Sequence, residues 1–151
     1  MMNAESIAVY SPFVDKTSAQ WKPPARGANI LADKTVDLAL GVIDFYAKLP
    51  SSAPAQVLGK QVLRSGTSVG SQYREACRAR SIAEFISKNE SALQELDETL
   101  YWFQLFKESN CAPRSSVDQL ALLAEEVMRL LVATVRTAKR RSGRDAPVKQ
   151  P

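Results

Sequence analysis

Four stretches of the chain repeat apolar residues at the i, i+3, i+4, i+7 spacing of a helix with one buried stripe. The first predicts a helix from about Ile30 to Leu49, with Leu31, Leu38, Ala39, Val42, Ile43, Tyr46 and Leu49 turned inward. Leu49-Pro50-Ser51-Ser52 ends it, because the residue before a proline avoids the right-handed helical region. The second helix is predicted from about Pro54 to Arg78, with the proline suited to the first turn. There Leu58, Val62, Val69, Tyr73 and Ala76 fall on one side. Lys60, Arg64, Thr67, Ser71, Arg74 and Arg78 fall on the opposite side, within about 80° of arc. Gly66 and Gly70 lie near the apolar side. Each weakens a helix by roughly 1 kcal/mol relative to alanine, so their presence points to close contact with a neighbouring helix.

The third helix opens with the capping box Ser81-Ile82-Ala83-Glu84, in which serine and glutamate satisfy orphan backbone donors. It runs to about Glu108 through Ile82, Phe85, Ile86, Leu93, Leu96, Leu100, Phe103 and Phe106, and stops at Asn110-Cys111-Ala112-Pro113. The fourth begins near Ser116, with Gln119 completing a second capping box, and extends to about residue 141. Val117, Leu120, Ala121, Ala124, Val127, Met128, Leu131 and Val135 make its core stripe, and Leu122, Leu123, Leu130 and Val132 widen it beyond one face. Four long helices with short connections predict an all-α, antiparallel up-down four-helix bundle over residues 29–141. Residues 1–28 contain Pro12, Pro23, Pro24 and Gly27 and no helical period, so they read as a flexible N-terminal arm. Residues 142–151 read as a flexible basic C-terminal tail.

Composition narrows the function classes. A chain of 151 residues fits one domain. No apolar run approaches the roughly 18 residues of a membrane span. Ile7-Ala8-Val9-Tyr10 is too short, and lacks the basic flank, for a signal peptide. Cys77 and Cys111 form no CxxC pair, which suggests free thiols in a reducing cytoplasm. Histidine is absent, which removes the commonest general base and the commonest metal ligand. Ser65-Gly66-Thr67-Ser68-Val69-Gly70 does not have the spacing of a phosphate-binding loop. Glu95, Asp97 and Glu98 lack the Glu-x-x-His partners of di-metal bundles. The expectation is a non-enzyme with no metal or cofactor.

Charge is unevenly placed. Residues 136–151 hold Arg136, Lys139, Arg140, Arg141, Arg144 and Lys149 against Asp145. Residues 55–80 hold Lys60, Arg64, Arg74, Arg78 and Arg80 against Glu75. Residues 81–109 are acidic, with Glu84, Glu90, Glu95, Asp97, Glu98 and Glu108 against Lys88 and Lys107. A basic helix, an acidic helix and a mobile basic tail from Arg136 to Arg144 follow.

The segment Leu63-Arg64-Ser65-Gly66-Thr67-Ser68-Val69-Gly70-Ser71-Gln72-Tyr73-Arg74-Glu75-Ala76 resembles the signature of the bacterial four-helix-bundle family of rRNA intervening-sequence proteins. The likeness continues through Cys77-Arg78-Ala79-Arg80-Ser81-Ile82-Ala83-Glu84-Phe85-Ile86 and resumes over Glu95 to Trp102. At Ser71-Gln72 the chain departs slightly from the family, which often has Ala-Asn or a similar pair. The resemblance implies a ring-like homopentamer. It also implies kinship with accessory proteins of diversity-generating retroelements, whose basic pentamers bind nucleic acid and a reverse transcriptase. It carries over Arg64, Arg74, Glu75, Arg78 and Arg80 of the signature, and no catalytic residue.

Two readings of the basic surfaces stay open. Lys60, Arg64, Arg74, Arg78, Arg136, Lys139, Arg140 and Arg141 could hold the phosphates of RNA or DNA, with salt-dependent affinity and little base specificity. Alternatively, they pair with acids of the third helix or solvate an outer face. Arg74 and Glu75 could also form an inter-helix ion pair, and Tyr101 or Trp102 an interface anchor. The two function classes are an oligomeric nucleic-acid-binding scaffold, accessory to a reverse transcriptase or other RNA-handling enzyme, and a protein-interaction module without nucleic acid.

Overall fold

Four helices follow one another: α1 (Ile30–Ala47), α2 (Ala53–Cys77), α3 (Ile82–Ser109) and α4 (Arg114–Arg141). The structure, a computed structural model, describes Gly27 and residues 29–143. The arm expected over 1–28 and the tail expected over 142–151 lie outside the described residues, apart from Gly27, Ser142 and Gly143. Neighbouring helices pack in the ring α1–α2–α3–α4–α1, and no strand occurs among the described residues. The connections are short, so successive helices run antiparallel, as the apolar stripes predict.

The helix ends show which local signals operate. Asn29 caps α1 by accepting from the Ala32 N–H at 3.0 Å. The Ser81 hydroxyl accepts from the Glu84 N–H at 3.1 Å. The Glu84 carboxylate accepts in return from the Arg80 N–H at 2.8 Å, one residue ahead of the usual capping-box donor. The second capping box does not form. α4 starts at Arg114, two residues before Ser116, and its N-cap Pro113 makes no side-chain capping bond. Proline fixes φ near the helical value and so starts the turn early; here φ is −58°. Asn110 ends α3 in the left-handed region at φ 55°, which asparagine tolerates better than most residues.

The core corrects the predicted stripe of α1. Phe45, absent from that stripe, is buried, and its ring meets Phe103 and Phe106 of α3 edge-to-face, with centroids 6.3 and 5.1 Å away. Ile43, placed inward by the periodicity, is 47% exposed. The buried row is Leu31, Thr35, Leu38, Val42 and Phe45, which puts Ile43 one step of 100° off the row. The glycines of α2 do what their position suggests. A Cβ on Gly66 would lie 3.0 and 3.1 Å from the methyls of Val42, and one on Gly70 would lie 3.2 Å from the Thr35 hydroxyl. A methyl at either position would press on α1, and Val42 or Thr35 would have to give by a few tenths of an ångström.

Two buried polar features cross or line the core. The Thr99 hydroxyl donates to Ser65 at 2.8 Å between α3 and α2. Asn89 is fully buried and donates to the Phe85 carbonyl at 2.8 Å, while its side-chain oxygen has no protein partner. Beyond the main core, Ala76, Ala79, Phe85, Ile86, Val135 and Ala138 form a second, smaller cluster. It joins the end of α2, the start of α3 and the end of α4, and so fixes which basic segments share one end of the bundle.

Candidate nucleic-acid interface

The amphipathic reading of α2 holds. Lys60, Arg64, Ser71, Arg74 and Arg78 are exposed, and Val62, Val69, Tyr73 and Ala76 are buried. The residues on the outer face differ in their partners. Arg64 reaches across to α3, placing its guanidinium 3.2 Å from Glu95 and 2.5 Å from Glu98. The hydrogen bond that Arg64 donates to Glu98 raises the Arg64 pKa and lowers that of Glu98. Glu98 also accepts from the indole of Trp102 at 3.2 Å. For Arg64 the pairing reading is therefore the one realised. Lys60 and Arg74 make no ion pair among the described residues. Of the inter-helix pairing expected of Arg74 and Glu75, Glu75 makes its part, to Lys88 of α3.

The basic residues at the C-terminal side need a correction. Arg136, Lys139, Arg140 and Arg141 belong to the last turns of α4 and not to a mobile tail. Arg136, Arg140 and Arg141 are exposed, and Lys139 pairs with Glu90 at 2.9 Å. Apolar Val135 and Ala138 belong to the small end cluster, which holds these last turns against α2 and α3. Cations in a last turn also interact favourably with the exposed carbonyls there.

The antiparallel ring brings most, but not all, of the expected residues together. The ends of α2 and α4 flank the start of α3. At that end, residues 29–37, 70–92 and 132–143 hold nine Lys or Arg against five Asp or Glu. The other end, residues 38–69 and 93–131, holds six against eight. Arg74, Arg78, Arg136, Lys139, Arg140 and Arg141 thus share the basic end, while Lys60 and Arg64 lie toward the acidic one. Arg80 joins the basic end. It sits in the α2–α3 turn with its side chain 85% exposed, and its Nε lies 3.5 Å from Glu84. It was legible in the family signature but fell outside the helix whose face was being read.

Other chemistry at this end is muted. Tyr73 accepts a hydrogen bond from the Asn29 amide at 3.0 Å, and burial pushes its phenol well above the ordinary range. Burial likewise raises the Cys77 thiol, which disfavours the reactive thiolate. Among the described residues, no three His, Cys, Asp or Glu side chains gather as a metal site. No helix among them is long and apolar enough to cross a membrane. At the acidic end, a groove of about 470 Å³ between α1 and α4 is floored by Phe45, Leu49, Leu120 and Leu123.

The described residues form an up-down four-helix bundle with exposed arginines gathered at one end. The family profile described as 23S rRNA-intervening sequence protein matches residues 28–133, and the chain belongs to that family. A crystal structure of a protein of unknown function from the S23 ribosomal protein family of Bacteroides thetaiotaomicron is similar to it. The two are 34% identical with a TM-score of 0.67, over 71% of this chain and 99% of the other. No curated protein matches the chain.

Proposed function

We propose that this protein is a non-catalytic, homo-oligomeric scaffold that binds nucleic acid through the basic end of its bundle. The observation that carries this reading is the gathering of Arg74, Arg78, Arg80, Arg136, Arg140 and Arg141, all exposed, at one end. Such a surface recognises phosphate, and backbone phosphates supply most of the affinity of non-specific binding. Arg64 is held by two glutamates, so its part is to tie α2 to α3. In this reading the protein works in the cytoplasm beside a reverse transcriptase or another RNA-handling enzyme. The resemblance of its signature segment, and the rRNA in the family's name, support that setting. The resemblance also supplies the number five for the oligomer. Exposed Leu40, Ile43, Val57, Tyr101 and Leu122 support an oligomer independently, since apolar surface of this kind commonly marks an interface.

The test is a gel shift at low salt with RNA and DNA probes, comparing the parent with R74E/R78E and R136E/R140E. Both variants are expected to stay helical by circular dichroism and to lose binding. Variants that fold and bind like the parent would move the site elsewhere. A second reading, a protein-interaction module without nucleic acid, is favoured by the same exposed apolar residues. A parent that shifts neither probe at low salt would establish it over the first.

A further inference from the structure

We propose that the chain's own N-terminal segment, residues 7–14, fills the apolar groove between α1 and α4. Phe45, Leu49, Leu120 and Leu123 floor that groove, and the three leucines are only half-buried. An apolar segment laid over them removes their remaining surface from water. The direction in which the chain joins the bundle points to the occupant. The Gly27 N–H donates to the Asp33 carboxylate at 2.6 Å. Gly27 has φ 89°, a left-handed conformation that turns the backbone at little steric cost. The chain ahead of α1 is thus held against the side of its first turn, where Asp33 stands. Asp33, Asp37, Gly41, Asp44 and Lys48 follow one another at steps of three or four residues, so they share one helix face. Gly41, Asp44 and Lys48 line the groove. The face on which the N-terminal segment joins α1 is therefore the face that leads to the groove.

Length and chemistry both fit. Asp44 and Leu49 lie about 17 and 24 Å beyond Asp33 along the axis of α1, at the helical rise per residue. The chain from Val14 to Gly27 spans up to roughly 43–47 Å when extended, so residues 7–14 reach the whole groove with slack. Residues 16–26 carry Lys16, Lys22 and Arg26 and no acid, which suits a face that opens with Asp33 and Asp37. Residues 7–14 carry Ile7, Val9, Tyr10, Phe13 and Val14 and no charge, which suits an apolar floor. Running back from Gly27, the segment thus presents cations first and apolar side chains second, in the order in which the α1 face presents acids and then the groove.

The experiment places the photo-reactive residue p-benzoylphenylalanine at Gln119 of the full chain, exposed on the groove rim. Ser116, also exposed there, is a second position should the first disturb folding, which circular dichroism checks. Isotope-labelled and unlabelled protein are refolded together, irradiated, and the cross-linked peptides identified by mass. Cross-links to residues 7–14 are expected, joining labelled only to labelled and unlabelled only to unlabelled peptides. F13E/V14E in the same chain is expected to lower their yield at least roughly tenfold, because two apolar side chains lose their burial. Segment peptides joined across isotopes would put the segment in the groove of a neighbouring copy. Helix peptides joined across isotopes would make the groove an interface between copies, and no segment peptide at all would leave it to another partner. Each of these overturns the proposal, as does an F13E/V14E yield equal to the parent's.

Discussion

At Gly66 the missing side chain is a packing requirement. Replacing glycine by alanine in a helix ordinarily stabilises by roughly 1 kcal/mol. Here the new methyl would meet Val42, which is β-branched, stiff and fully buried. Overpacking of that kind costs about 1–3 kcal/mol, so G66A is expected to lower the urea midpoint. In a V42A background the same change should raise it, because the obstacle is gone; a G66A effect independent of Val42 would refute the contact. Arg64 and Glu98 set a second expectation, in pH. Arg64 holds the Glu98 pKa below its ordinary 4.5. A depressed carboxylate contributes stability above its unfolded pKa and loses it as pH falls through the folded one. The difference in urea midpoint between the parent and E98Q should therefore be steady near neutrality and close as pH drops below that value. Both groups are partly exposed, so the effect is small. Residue identity was only partly legible in the sequence. Periodicity found Val42 and Leu38 but placed Ile43 inward and passed over Phe45. A 100° error in a stripe's axis exchanges such neighbours, and only the aromatic partners on α3 settle it.

At the scale of the element, the four helices were legible because each carries an apolar stripe several turns long. The start of α2 was legible from Pro54 in its first turn and that of α3 from its capping serine, whereas the second capping box misplaced the start of α4 by two residues. Ser81 makes its capping bond and Ser116 makes none. S81A is thus expected to destabilise the bundle by about 1 kcal/mol, and S116A to leave the urea midpoint nearly unchanged. Equal effects would show that the start of α4 is capped by Ser116 after all. The end of α4 stands at Arg141, where the apolar stripe put it, but the cations just before it were read as mobile. Its run of cations looks like a tail when counted as charge, yet Val135, Ala138 and the small end cluster give it a packed face. That misreading matters for the site, since cations on a helix stand at fixed spacing. Arg136 and Arg140 lie one turn apart, about 6 Å along the axis.

Across the whole molecule, the antiparallel ring converts a charge map along the chain into a polarity along the bundle. Sequence segments showed a basic second helix, an acidic third and a basic C-terminal region. Which of them meet depends on helix direction and end clusters, and that is why Lys60 and Arg64 separated from the remaining candidates. Multi-angle light scattering is expected to find an oligomer at micromolar concentration, because Leu40, Ile43 and Leu122 leave apolar surface uncovered. A monomer there would mean that these residues serve another partner. An oligomer repeats the basic end in every copy, so contacts that are weak singly add through multivalency. The most direct measurement of the nucleic-acid role is the salt dependence of the parent's affinity for a duplex, because each phosphate neutralised releases counterions. Plotted as the logarithm of the association constant against that of salt, it should fall on a line of steep negative slope. Circular dichroism should be unchanged over the same salt range. A flat line, or no binding at the lowest salt, would contradict a phosphate-binding basic end.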